Sequence, residues 1–146
     1  SIQPTHATSD MYWAEERLGA ERIKGAYAYK DLLNQYGKVA IGSDFPIESI
    51  NPLYGFHAAI TRQDKKGFPE GGFQKDQLLT REQALRGMTI WAAYACFQED
   101  KRGTIQKGKD ADFVILDEDI MTADLNKIRD IKTLRTVIAG ETVFKK

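Results

Sequence analysis

The stretch KVAIGSDFPIE, Lys38 to Glu48, restricts the fold of this chain more than any other. Val39-Ala40-Ile41 is a short apolar run of the kind that makes a buried strand, and Gly42-Ser43 ends it. Upstream, ERIKGAYAYKDLLNQY, Glu21 to Tyr36, puts Ala26, Tyr29, Leu32 and Leu33 near one helical face, with Gly37 as the stop. The opening residues SIQPTH read as the end of an earlier strand, followed by a short polar helix that Gly19 stops. Strand, helix, strand with short connections is a βα unit feeding a parallel sheet, so the expected class is α/β.

Downstream, a helix is expected within Ser49 to Asp64, started near Asn51-Pro52, because proline is tolerated in a first turn. Gln63 to Gln77 is rich in glycine and charge and reads as a long loop, a length that is uncommon unless functional. Thr80 and Gln83 have the spacing of a capping box, and Leu85, Met88, Ala92 and Ala95 form an apolar stripe running to Phe97. After Gly103 the character changes. Phe113 to Leu116 is wholly apolar, as a strand buried on both faces would be, and LRTVIAGETVFKK reads as a hairpin turning at Gly140-Glu141. Two parts are therefore expected, with the boundary near Gly103: residues 1–102 as β/α units and residues 103–146 as a small β section.

Balanced charge argues against a surface for nucleic acid or anionic membrane, since Lys+Arg and Asp+Glu number 21 each. No apolar run approaches the roughly 20 residues that span a bilayer. The single cysteine, Cys96, excludes an internal disulfide framework and suits a reducing, cytoplasmic compartment; its place on an apolar helix side reads as a small buried hydrophobe. With no initiator Met and a strand end at its start, the chain reads as part of something longer.

Asp44 raises the central question. An aspartate is a poor strand former and is rarely buried alone, yet here it follows directly on an apolar strand. It is either an Asx-turn residue or a working carboxylate at the ligand-binding end of a parallel strand, and the local residues leave both open. His6 follows Gln3-Pro4-Thr5 at a similar exit and would face the same rim. His57, inside a helix, reads as structural. Arg62 and Asp64 stand at the edge of the long loop, as a solvated helix end or as substrate contacts. Tyr12, Trp13 and Trp91 read as packing residues. Neither HExxH nor CxxC is present, and no glycine-rich phosphate loop opens a helix, which disfavours a nucleotide-binding domain.

Taken in order, QPTHATSDMYWAEERLG, AIGSDFPIE, NPLYGFHAAITRQD, LTREQALRGMTIWAAYACF and GTIQKGKDADFVILDEDI resemble the C-terminal portion of metal-dependent amidohydrolases, in the branch of the N-substituted formamide deformylases. The resemblance implies the end of a TIM-type (β/α)8 barrel followed by part of a small β-sandwich built from both chain ends. On that map SIQPTH is the seventh strand, VAIGSDFP the eighth, and Thr80 to Phe97 the helix covering it. Asp44 matches the eighth-strand aspartate, a metal ligand and proton shuttle, and His6 a seventh-strand active-site histidine taken as a substrate contact; Arg62 stays a candidate substrate contact from its place at the loop edge alone. Gly42 would let the backbone pass close to the site, and Pro46 would fix the loop after it.

The implied cofactor is a divalent metal of the Zn type, one or two ions, and the implied substrate a small-molecule amide, formamide or cyclic amide. The family's first-strand His-x-His pair, its fourth-strand bridging residue and its later histidine ligands have no counterpart here. The missing N-terminal barrel portion is therefore the expected partner, self-association is left open, and the chain alone is expected to be inactive. The rival expectation is a non-catalytic binding or assembly module that kept the fold segment without the chemistry.

Overall fold

The computed structural model describes all residues, Ser1–Lys146. Six helices occupy the first two thirds: α1 (Pro4–Asp10), α2 (Ala14–Arg22), α3 (Tyr29–Tyr36), α4 (Pro52–Thr61), α5 (Arg81–Met88) and α6 (Ile90–Ala95). Three strands close the chain, β1 (Phe113–Leu116), β2 (Thr133–Ile138) and β3 (Glu141–Lys145), with a 3-10 segment at Leu125–Asp130 before β2. The result is a mixed helical structure with a small antiparallel sheet. None of its helices is long and apolar enough to cross a membrane.

The two expected parallel strands are reduced to a single bridge between Ile2 and Ile41. Ile2 donates to the Ala40 carbonyl at 2.8 Å, and Gly42 donates back to the Ile2 carbonyl at 3.0 Å. Each segment has only the other as a neighbour, and a lone two-stranded ladder is marginal. SIQPTH is accordingly not a strand end beyond Ile2: Pro4 opens α1, and His6 lies in the same first turn of that helix. The Ile41 amide bonds instead to the Gly87 carbonyl of α5, at 3.0 Å. Gly87 is needed there, because an added Cβ would stand 2.7 Å from Ile41 Cδ1 and 3.1 Å from the Val39 carbonyl oxygen.

The helix expected over 21–36 is split. Gly19, at φ 79, kinks α2, a 3-10 turn covers Ile23–Gly25, and only Tyr29–Tyr36 is regular. Tyr29 and Leu33 are buried as expected, whereas Leu32 is exposed. The α4 start is as read, with the Asn51 side chain accepting from the Leu53 amide. The Thr80–Gln83 capping box forms in full. The helix it opens breaks at Thr89, whose φ of −123 and ψ of −96 separate α5 from α6. Past that break Ala95, Cys96 and Phe97 are exposed, so Cys96 is not a core residue.

The core gathers Ile2, Tyr29, Leu33, Leu53, Phe56 and Leu79 around α4. Ile128 and Ile131, from beyond Gly103, belong to the same cluster. Arg81 of α5 reinforces the junction by donating to the carbonyls of Ile120 and Ala123. Residues 125–131 thus return to the helical part and fill its core.

The sheet runs β1-β2-β3, with Phe113 opposite Val137 and Ile138 opposite Glu141. Its hairpin turns at Ala139-Gly140, one residue earlier than expected, with φ of 50 and 82, the pair of positive values that a type I′ turn requires. Phe113–Leu116 is not buried on both faces: Val114 is 55% and Ile115 42% exposed, and only Leu116 packs against the core. The sheet is a single layer, so nothing covers its second side.

His57 lies buried in α4 beside Thr61, whose hydroxyl donates to the His57 carbonyl at 2.8 Å. Burial, and then the neighbouring Arg129 charge, lower the imidazole to about 4 from its usual 6.5. Between those values the unfolded chain takes up a proton that the folded chain refuses. His57 therefore contributes stability above pH 6.5 that is lost as pH falls towards 4, at up to about 1.4 kcal/mol per pH unit. In urea unfolding at a series of pH values, His57→Gln should flatten the stability profile across that window. A second test concerns the shared core: Ile128→Ala should cost about 2–5 kcal/mol, as fully buried large-to-small changes do.

Candidate functional site

The Ile2–Ile41 bridge brings two chain exits together, and each carries one titratable side chain. His6 Nε2 and Asp44 Oδ2 stand 3.0 Å apart, with the side chains 30% and 43% exposed. Asp44 has φ 59, a left-handed conformation that aspartate tolerates better than most residues. Its carbonyl accepts from the Ile47 and Glu48 amides, at 2.8 and 3.2 Å, and turns the chain back towards α4. The carboxylate itself does not make the local Asx bond. Ser43 does that work, its hydroxyl accepting from the Phe45 amide at 3.3 Å. The Asp44 side chain is left to meet His6.

A second link binds the same two segments. Ser9 of α1 donates to Glu48 Oε1 at 2.6 Å, one helical turn beyond His6 and just past the Asp44 turn. Neither residue stood out in the sequence, because a serine in a short helix and a glutamate after a proline carry no local pattern. Gly42 is not a point of close approach: a Cβ there would meet only Gln3 Nε2, at 3.8 Å. The tight contact in this region is at Gly87 instead.

Arg62 lies inside the protein, 1% exposed. It caps α4 in a left-handed conformation, and its guanidinium donates to the Phe73 carbonyl at 2.5 Å, the Tyr27 carbonyl at 3.1 Å and Gln74 Oε1 at 2.7 Å. The rings of Tyr29 and Phe73 lie 5.4 and 5.6 Å from its charge. Burial lowers it to about 10, so it remains charged at neutral pH. A substrate contact through Arg62 would require this network to open. What it does in the fold is hold the 63–77 loop against α3 and α4.

Asp64 is not a solvated helix end. Its carboxylate accepts from the Tyr12 hydroxyl at 2.6 Å and from the Lys66 and Phe68 amides at 2.7 and 2.9 Å. Burial pushes its carboxyl up, but these hydrogen bonds outweigh that and hold it below the usual range. Tyr12 also stacks on Phe68, with centroids 6.0 Å apart, so it is a surface residue docked on the loop rather than core packing.

An imidazole and a carboxylate are donors of the type that a divalent ion takes. However, no group of three or more His, Cys, Asp or Glu side chains is placed to hold a metal. A catalytic zinc keeps three protein ligands, so these residues fit part of such a site and not the whole of one.

The family profile of the Amidohydrolase family matches residues 1–144. YtcJ of Bacillus subtilis, named as an amidohydrolase, is 33% identical over 145 residues, which is 99% of this chain and 27% of that protein. The N-substituted formamide deformylase of Arthrobacter pascens is 28% identical over 114 residues, 78% of this chain and 20% of its own length. Among solved structures, an uncharacterized metal-dependent hydrolase from Pyrococcus horikoshii superposes with a TM-score of 0.74 at 32% identity, over 85% of this chain and 25% of the other. The chain thus spans about a quarter of the length of the relatives it matches. By a match that runs almost from end to end, it belongs to the amidohydrolase family.

Proposed function

We propose that the chain is the C-terminal part of a metal-dependent hydrolase that cleaves a non-peptide C–N bond in a small amide, formamide or cyclic amide. The observation that carries this reading is the His6–Asp44 pair, held at 3.0 Å on two bridged segments. Residues 1–102 would supply the last two β/α units of a TIM-type barrel, and residues 103–146 the C-terminal strands of a composite β-sandwich. The uncovered face of the sheet supports the second assignment, since Val114 and Ile115 lack an apolar neighbour layer.

In the whole protein Asp44 would be one metal ligand, with the remaining ligands supplied from outside these 146 residues. A divalent ion of the Zn type, one or two per site, supplies Lewis acidity that polarises a carbonyl and makes water acidic near neutral pH. Asp44 Oδ2 accepts the proton of the attacking water and returns it to the leaving amine. His6 donates a hydrogen bond through Nε2 and steadies the carboxylate between those transfers, while its exposed edge meets substrate.

Asp44→Asn in the whole protein should lower kcat by about 10²- to 10⁴-fold while leaving the circular dichroism spectrum unchanged. Wild-type turnover in that variant would make Asp44 a turn residue only. His6→Asn should keep metal content near wild type and raise KM, which metal analysis beside steady-state kinetics will separate from ligand loss. Residues 1–146 alone, supplied with zinc, should not turn over an N-substituted formamide, because one carboxylate ligand is too few to hold the ion. Turnover by that chain, abolished by Asp44→Asn, would refute the need for outside ligands.

A further inference from the structure

An open cleft of about 430 Å³, large enough for a small ligand, is bordered by α1 and by the turn that follows Asp44. Its walls come from α1 (Thr5, Ser9), the turn after Asp44 (Glu48), the tip of the long loop (Lys65, Lys66) and the 3-10 segment before β2 (Arg129). The Ser9–Glu48 bond forms part of this wall, so the cleft is bordered by the same two segments that carry His6 and Asp44.

The charges lining the cleft are not equivalent. Both carboxylates already accept hydrogen bonds: Glu48 from Ser9, and Asp64 from Tyr12 and two backbone amides. None of the three cations has a side-chain acceptor. Lys65 and Lys66 are exposed and form no ion pair, and Arg129 is half-buried with its guanidinium 3.9 Å from the centre of the Tyr54 ring. The Tyr54 ring holds that guanidinium in place, and its N–H donors are left without a protein acceptor, as a fork suited to a carboxylate. Thr5 adds a further group: its hydroxyl has no protein partner although the residue is 7% exposed.

We infer that this cleft is an anion subsite that takes the carboxylate of an amide substrate, with the Arg129 fork as its main contact and Lys65 and Lys66 as its rim. The inference rests on the hydrolase reading for the word substrate, but the binding site stands on the cleft itself. Arg129 matters most because its half-buried charge, seated over the Tyr54 ring, is screened less than that of the two lysines. The substrate class then narrows to amides with an anionic group on one side of the scissile bond.

The test compares N-formylglycine with its neutral analogue N-formylglycinamide by calorimetry on the whole protein. The carboxylate should bind at least tenfold more tightly than the amide. Arg129→Gln should remove that preference, Arg129→Lys should restore part of it, and the double change Lys65→Ser, Lys66→Ser should reduce it several-fold and flatten its salt dependence. The two lysines are exposed, so the double variant remains informative if Arg129→Gln does not fold. Asp44→Asn should keep the preference. A preference that persists when Asp44→Asn shows wild-type turnover would sink the catalytic reading and leave the subsite standing. Equal affinity for the two ligands, or a preference unchanged in Arg129→Gln and in the double lysine variant, overturns the subsite.

Discussion

Two backbone hydrogen bonds between Ile2 and the segment Ala40–Gly42 set the register on which the site depends. They align the exits of two chain segments 39 positions apart, so that the residues following each strand end up side by side. Their support comes from below and from one side. Ile2 and Val39 sit in the apolar cluster, and Gly87 lets α5 approach closely enough to take the Ile41 amide. A larger residue at Gly87 would press on Ile41 and, through it, on the Asp44 turn. The distance between His6 and Asp44 is thus governed by core packing, not by the local chain.

Two guanidinium groups, one buried and one half-buried, organise much of the rest. The segment 63–74 has no regular structure of its own and little apolar content to fold around. It is held instead by Arg62, whose three donors and two flanking rings satisfy a charge that would otherwise be costly to bury. Arg81 plays a comparable part at the other junction, fixing the carbonyls before the 3-10 segment that carries Ile128 and Arg129. Through these two clamps the loop tip and the C-terminal half both reach the cleft bordered by Ser9 and Glu48.

The same structure leaves conspicuous apolar surface. Phe113, Val114, Ile115, Val143 and Phe144 are all exposed on a sheet of three strands. The apolar character of Phe113–Leu116 therefore differs from its burial in this chain. A run of four apolar residues reports the environment for which a strand was selected, and burial also requires the partner layer.

Local signals carried a good part of the reading. The Thr80–Gln83 capping box, the Asn51-Pro52 helix start, the Gly37 stop and the turn near Gly140 were legible because each depends on a few adjacent residues. Asp44 and His6 were legible as candidates because each follows an apolar or extended stretch with a polar group. Where elements ended was less so: Thr89 breaks a helix whose pattern continues, and Ile2 is the whole of a strand that seemed longer. Propensity is a weak prior, and packing against neighbours decides it. The sequence by itself determined the family, the helix caps at Asn51 and Thr80, and His6 and Asp44 as candidates at the exits of two segments. Only the tertiary structure decided that Arg62 is internal, that Cys96 is exposed, and that Arg129 crosses from the C-terminal half to the cleft. Those outcomes depend on contacts between residues far apart in the chain, which no local pattern encodes.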